Sequence, residues 1–473
     1  MVAPAPRRRG RRVALIVVAA LILVVGAGAG AVFAVPGLKA KLGLGDSEPA
    51  VVIAPPPAPV RFEPALHAPG TGTPAPTSAG VTAALAGQVS APTLGTLTGA
   101  VLDATTGESL WAQNAGTPLV PASTGKLLTV AAALLSVSHT EQLSTKVVAG
   151  KDPGAVIIVG GGDPTLSSLK VGADSVYPGA AHLSELVDQV KAQGGAKTVY
   201  VDISRYAGNA MEASWDGADV AAGHIAPIMP LMLDGGRGDA TKATTPRSPT
   251  PAKAMAEEFA NRLGAKVAPE LIATAPQGAS VLGEVRSAPM VELVDTLLQH
   301  SDNVLAEAVG HEVARTAGEE VSFAGASRAT VKVLQQNGFD VTGLNLADAS
   351  GLSGQDKVPA KLLASILAVA AGPDGRDPRT AKLRPLLGGL PVAGGSGTLD
   401  DRYNTPGSTA GRGWVRAKTG TLQTPAVNSL AGVVLDTDGR LLVFAFLSNG
   451  SATLTARPAL DAIAATLRKC GCT

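Results

Sequence analysis

The sequence predicts an α+β fold in which one antiparallel sheet is flanked by helices and an α/β unit is inserted into the chain. Strand hairpins at both ends of the folded part, with helical stretches between them, predict the sheet and its helices. The region around 145–285 has a strand–helix rhythm of its own, which marks the insert.

Each element follows from its residues. Residues 97–104, the turn Thr105-Thr106-Gly107-Glu108 and residues 109–113 read as strand, turn, strand. Residues 430–435 and 441–448 repeat the pattern around Asp438-Gly439. A helix is expected after Pro121, with Leu127, Leu128, Val130, Ala131, Leu134 and Leu135 inward. A pair is expected at 291–299 and 304–316, broken by His300-Ser301-Asp302-Asn303, and a last helix at 458–467. In the insert, 155–159 and 198–203 read as strands and 182–191 as a helix. The expected division is 81–145 and 286–473 for the split main domain, with 146–285 as the inserted accessory domain.

Length and charge narrow the function classes. The chain has 473 residues, 45% hydrophobic and 16% charged, which excludes disorder throughout and allows two or three domains. A formal charge of +1 argues against a nucleic-acid binder. That value conceals a partition, because residues 1–45 hold seven basic side chains and no acidic one. Residues 1–12 form a basic arm, and residues 13–35 follow without a charge. As a helix the latter would be about 34 Å long, enough to cross hydrocarbon. Arginines in front of it keep that end cytoplasmic and send the rest outside. A membrane anchor with an extracytoplasmic catalytic part is therefore favoured over a cleaved, secreted form, which small residues at 31–34 also permit. Residues 36–80 form a Pro/Ala-rich linker, extended because proline fixes φ.

Three short patterns carry chemistry. In Ser123-Thr124-Gly125-Lys126 a serine at a helix start meets free backbone amides, and a lysine three residues on returns to the same face. A neutral lysine there activates the serine as a nucleophile; the bland reading is an N-cap and a solvated lysine. In Ser301-Asp302-Asn303 the hydroxyl suits proton relay and the amide suits a peptide carbonyl, although such residues also favour plain turns. In Lys418-Thr419-Gly420 lysine and threonine suit a carboxylate, and glycine admits a substrate backbone. Each is weak alone. Together, in this order, they are the set of penicillin-binding proteins and serine β-lactamases.

With PASTGK at 121–126, GGGDPTL at 160–166, DASGLS at 348–353 and LPVAGGSGTL at 390–399, the chain resembles the type 4 penicillin-binding proteins. These are the D-Ala-D-Ala carboxypeptidases of peptidase family S13. The likeness covers roughly 85–467 and implies a β-lactamase/transpeptidase-like fold. The offset of 178 from Ser123 to Ser301 fits a family that inserts domains there, though the insert looks shorter than in the largest members. The resemblance implies that Ser123 attacks the D-Ala-D-Ala carbonyl, with Lys126 as general base. Ser301 would protonate the leaving group, Asn303 hold the substrate amide, and Lys418 and Thr419 bind the terminal carboxylate. The amides of Ser123 and Thr421 would form the oxyanion hole, beside Gly420. Peptidoglycan stem peptides are then the substrate and β-lactams covalent inhibitors, with carboxypeptidase and endopeptidase action sharing one acyl-enzyme. A serine β-lactamase of the same fold and a non-catalytic penicillin-binding sensor or scaffold are the alternatives. No E-x-x-[LT]-N segment is present to favour the lactamase. No role follows for Asp163 or Asp348, and 348–351 reads as a structural turn near the cleft.

The six histidines lack metal-ligand spacing, so neither a metal nor an organic cofactor is expected. The only cysteines, Cys470 and Cys472, sit in what reads first as a frayed tail, with a strained local disulfide, metal binding or a partner contact as the alternatives.

Overall fold

The computed structural model describes residues 74–473. The basic arm, the 13–35 segment and the linker as far as residue 73 lie outside the described residues. Among the described residues no helix is long and apolar enough to cross a membrane.

In chain order, α1 (Ser78–Val89) leads to the hairpin β1 (Thr96–Asp103) and β2 (Ser109–Gln113), followed by α2 (Lys126–Ser136). Next come β3 (Ser144–Ala149), β4 (Ala155–Val159), α3 (Leu183–Ala192), β5 (Thr198–Asp202), α4 (Pro251–Leu263), β6 (Lys266–Ile272) and β7 (Val281–Arg286). Four longer helices succeed them: α5 (Met290–His300), α6 (Asn303–Ala317), α7 (Phe323–Gln336) and α8 (Ala360–Ala371). The chain closes with β8 (Val415–Leu422), β9 (Val427–Leu435), β10 (Leu441–Asn449) and α9 (Thr453–Lys469).

The two terminal hairpins build one sheet in the order β8-β9-β10-β1-β2, with every neighbouring pair antiparallel. Its central strands are buried on both faces. Along β10, Val443, Ala445 and Leu447 enter the core around α2 and α8, while Leu442, Phe444 and Phe446 enter a second layer with α1 and α9. A strand covered on both sides gains from apolar residues at every position, which is why 441–447 shows no polar alternation. On the first side Leu127, Leu128, Val130 and Ala131 of α2 are fully buried. Each leucine there stabilises the fold by about 1.5–3 kcal/mol.

A second, mixed sheet runs β6-β5-β4-β3-β7; β4, β5 and β6 are parallel, while β3 is antiparallel to both its neighbours. Leu186 and Val187 of α3 and Met255 and Phe259 of α4 pack on it.

Two expectations at the C-terminus need correction. The last helix begins at Thr453, so Pro458 lies inside it rather than at its start. The amide that proline lacks would have bonded the carbonyl of Leu454, a residue 89% exposed where water can replace the partner. The tail is not frayed. Cys470 is buried in the α1/α9 layer and is disulfide-bonded to Cys472 across a Cα–Cα distance of 4.9 Å. The Cys472 carbonyl accepts from the amide of Thr77, the N-cap of α1, at 2.7 Å. A Cβ on Gly80 would collide with that carbonyl, whereas one on Gly87 of the same helix would meet nothing within 4 Å. Gly80→Ala is therefore expected to destabilise by about 1–3 kcal/mol. Gly87→Ala should stabilise by up to about 1 kcal/mol through helix propensity. Urea midpoints of the two variants check this, and a stabilising Gly80→Ala would contradict the packed tail.

Candidate active site

The setting of Ser123 begins with backbone. Ala122 takes φ +48°, a left-handed conformation that non-glycine residues adopt at a cost, and turns the chain from Pro121 into a short 3₁₀ turn ahead of α2. Ser123 sits on this turn half-buried, and Lys126 opens α2 fully buried. The helical offset of three returns Lys126 Nζ to within 3.0 Å of Ser123 Oγ. Thr124 and Ser429 both donate to the Pro121 carbonyl, at 2.7 and 2.6 Å, which pins the turn to β9. Strand β8 closes in beside it. A Cβ on Gly420 would collide with Ser429 Oγ and lie 3.0 Å from Ser123 N, so only glycine fits.

Lys126 Nζ has two further neighbours, Asn303 Oδ1 at 2.6 Å and the Ser350 carbonyl at 2.6 Å. Both can only accept. A neutral amine has two N–H bonds, so these acceptors use both and leave the lone pair for the Ser123 hydroxyl. Burial favours that neutral form and lowers Lys126 to about 8, against the pull of Asp348, Glu307 and Asp302. The Ser350 carbonyl is itself held. The Asp348 carboxylate accepts from the amides of Ser350, Gly351 and Ser353 at 3.1, 2.6 and 2.7 Å, and from the Trp215 indole at 2.8 Å. Glu307 accepts from the Ala349 amide at 3.1 Å, and burial next to Asp348 pushes it up to about 8. Gly351, at φ +75°, has no room for a Cβ against the Ala122 carbonyl. The 348–353 turn thus packs directly on the turn that carries Ser123.

The second motif is a helix junction. Ser301 (φ +54°) is the left-handed C-cap of α5, Asp302 is the N-cap of α6, and Asn303 is the first residue of α6. Asp302 Oδ1 accepts from the Leu305 amide at 2.9 Å. Its Oδ2 accepts from Arg237 at 2.6 Å and from Tyr177 Oη at 2.9 Å. Arg237 and Asp302 are 3% and 1% exposed. Burial alone would raise Asp302, but Arg237 and Arg247 hold it well below the usual carboxylate range. Asn303 Nδ2 donates to the His224 carbonyl at 2.9 Å, which orients Oδ1 toward Lys126.

From β8, the fully buried Lys418 donates to Ser301 Oγ at 2.8 Å and to the Thr419 carbonyl at 2.9 Å. Burial pushes its ammonium well below the usual range, and Lys126 and Arg402 add repulsion. Thr419 Oγ1 lies 2.8 Å from Thr398 Oγ1. Thr421 Oγ1 accepts from Arg457. The eight residues singled out in the sequence therefore lie along two contact chains: Ser123–Lys126–Asn303, and Ser301–Lys418 with Thr419, Gly420 and Thr421. The two chains meet where Gly420 faces Ser123. Sequence reading gave no role to Ser350 or Thr398, although both lie in quoted motifs, and it did not single out Glu307, Arg237, Tyr177 or Arg457. Among the described residues no cluster of three or more His, Cys, Asp or Glu side chains is placed to hold a metal ion.

A serine–lysine pair under an antiparallel sheet, faced by a lysine–serine pair, is the arrangement of a serine peptidase of the penicillin-binding class. The chain belongs to the D-Ala-D-Ala carboxypeptidase 3 (S13) family, which it matches over residues 81–249 and 237–470, and it is a serine-type D-Ala-D-Ala carboxypeptidase by class. It is 45% identical over 424 residues to a carboxypeptidase of Mycobacterium tuberculosis, covering 89% of this chain and 90% of that one. To carboxypeptidase DacB of Mycolicibacterium smegmatis it is 43% identical over 432 residues, covering 90% and 92%. The crystal structure of penicillin binding protein 4 from Haemophilus influenzae superposes with a TM-score of 0.65 at 22% identity, covering 82% of this chain and 98% of that one. This likeness fixes the fold.

Proposed function

We propose that this chain removes the terminal D-Ala from peptidoglycan stem peptides through an acyl-enzyme on Ser123. The observation that carries the reading is the three-point environment of Lys126, which leaves its lone pair only the Ser123 hydroxyl. In this reading Lys126 takes the hydroxyl proton as Oγ attacks the penultimate D-Ala carbonyl. The oxyanion faces the amides of Ser123 and Thr421, a contact of a kind worth about 2.7–4 kcal/mol. Ser301, held by Lys418, relays the proton from Lys126 to the departing D-Ala amine; Lys126, neutral again, then takes a proton from the water that cleaves the ester and returns it to Ser123 Oγ. Lys418 and Thr419 bind the substrate carboxylate, and Asn303 reaches the substrate amide once Nδ2 exchanges its bond to the His224 carbonyl. A peptide cross-link would enter the same acyl-enzyme, giving endopeptidase action. Acylation by β-lactams follows from the same attack; the Haemophilus influenzae protein has been crystallised with a β-lactam.

Residues 13–35 serve as the anchor and the Pro/Ala-rich stretch ahead of Thr77 as the spacer, its expected end at residue 80 giving way to α1 at Ser78, with catalysis outside the cytoplasm. The support is the uncharged run behind its arginines. Residues 146–285 form the accessory unit between the two parts of the catalytic domain, consistent with the separate mixed sheet of β3–β7.

A fluorescent penicillin is expected to label the wild type and not Ser123→Ala; equal labelling of both would remove Ser123 as nucleophile. Muropeptide digestion should convert pentapeptide to tetrapeptide, while loss of dimers reports endopeptidase action. Fast turnover of the penicillin instead of a stable adduct would favour a β-lactamase.

A further inference from the structure

We infer that Arg457, near the start of α9, is a positioning residue that sets affinity for the substrate's terminal carboxylate by holding the Thr421 hydroxyl as a donor. The inference deepens the reading of the site given above and rests on it. Side chains of β8 alternate between faces, so Thr419 and Thr421 share one. Thr419 is already assigned to carboxylate binding, which places the Thr421 hydroxyl on the same side, two residues further along.

Arg457 Nη2 and Nε both point at Thr421 Oγ1, at 3.0 and 3.3 Å. A guanidinium has donors and no acceptor, so Thr421 can only accept from it. The hydroxyl's own proton is then left for another acceptor, and the adjacent positive charge strengthens it as a donor to an anion. Arg402, the other arginine nearby, is occupied: it donates twice to Asp461, at 3.2 and 2.7 Å. Arg457 forms no ion pair among the described residues and remains exposed, a cation at the end of the strand that carries the third motif. The chemistry this favours is a free carboxylate at the substrate terminus. A terminal amide, neutral and with protons of its own, gains little from it.

The test compares a synthetic acyl-tripeptide ending in D-Ala-D-Ala with the same peptide ending in D-Ala-D-alaninamide. Arg457→Ala is expected to raise KM for the acid about tenfold, the scale of one charge-assisted hydrogen bond, with kcat little changed. The amide should lose nothing further, and Arg457→Lys should restore part of the preference for the acid. Arg457→Met keeps the aliphatic stem and should behave as the alanine variant does. Equal losses on acid and amide, or an unchanged KM for the acid, would overturn the inference. Penicillin labelling is followed in the same proteins. If the wild type is not labelled, the acyl-enzyme reading itself fails; normal labelling with an unchanged acid-to-amide ratio in Arg457→Ala sinks the role of Arg457 alone.

Discussion

Replacing Lys126 by alanine is expected to slow acylation by penicillin by about a hundredfold to ten-thousandfold, the range of a lost general base. The wild-type rate should carry the signature of that base. Lys126 acts only when neutral, and burial lowers it to about 8, so acylation rises as pH rises and levels off above that value. Below it the expected slope is about tenfold per pH unit, and Lys126→Ala should lose this dependence altogether. A wild-type rate that stays flat from pH 6 to pH 8 would show that Lys126 is not the base. The substitution also leaves Asn303 Oδ1 and the Ser350 carbonyl without their partner, a cost of about 1–3 kcal/mol. Lys126→Met restores the buried volume, so a folded methionine variant with the same slow acylation separates chemistry from stability.

Arg237→Ala is the second large effect, and it acts on the fold. Removing the guanidinium strands a carboxylate that is 1% exposed, at an expected loss of about 3–5 kcal/mol in urea unfolding. Tyr177 still donates to Asp302 and Arg247 still attracts it, but a phenol cannot balance the charge and the hydrogen bonds of Arg247 go to the Gly223 and Gly235 carbonyls. Adding Asp302→Asn to Arg237→Ala removes the stranded charge and should recover part of the loss. The pH dependence has a defined sign. Asp302 is depressed in the folded state, so its contribution is complete above the unfolded value of about 3.9 and is lost as pH falls toward the folded one. The gap between wild type and Arg237→Ala should therefore narrow in acid. A loss below about 1 kcal/mol at neutral pH would mean that the pair is solvated and the S-D-N turn is held by other means.

These two residues also show how far the sequence could be read. Ser123 and Lys126 were legible because a helix turns an offset of three into proximity, and the terminal hairpins because apolar strands flank a turn. Arg237 was not legible, since nothing in the chain between it and Asp302 encodes their meeting. The acceptor from Ser350 is a backbone carbonyl, which every residue has, so no side chain marks it. Asp348 was noticed, yet its work is to fold a turn on amides, and the partner of that turn emerges only in three dimensions. Pro458 misled because proline is common in the first turn of a helix, and its tolerance deeper inside depends on an exposed carbonyl that the sequence does not display. The tail misled for a similar reason, because its partner, the start of α1, lies at the opposite end of the described chain.

The same closure has a consequence for how the protein comes into being. Strand β1 pairs with β10, and the Ser448 hydroxyl reaches the Leu94 carbonyl across 354 positions. Until the ribosome has released almost all of the chain, β1 has only β2 beside it and its other edge stays open, and the turn that carries Ser123 has no strand beside it. The nascent hairpin must wait with an unpaired, apolar edge, the condition in which chains of this size aggregate or are degraded. Most of the catalytic body is thus synthesised before its central strand can pair, and a chain truncated before residue 441 would never complete the active site.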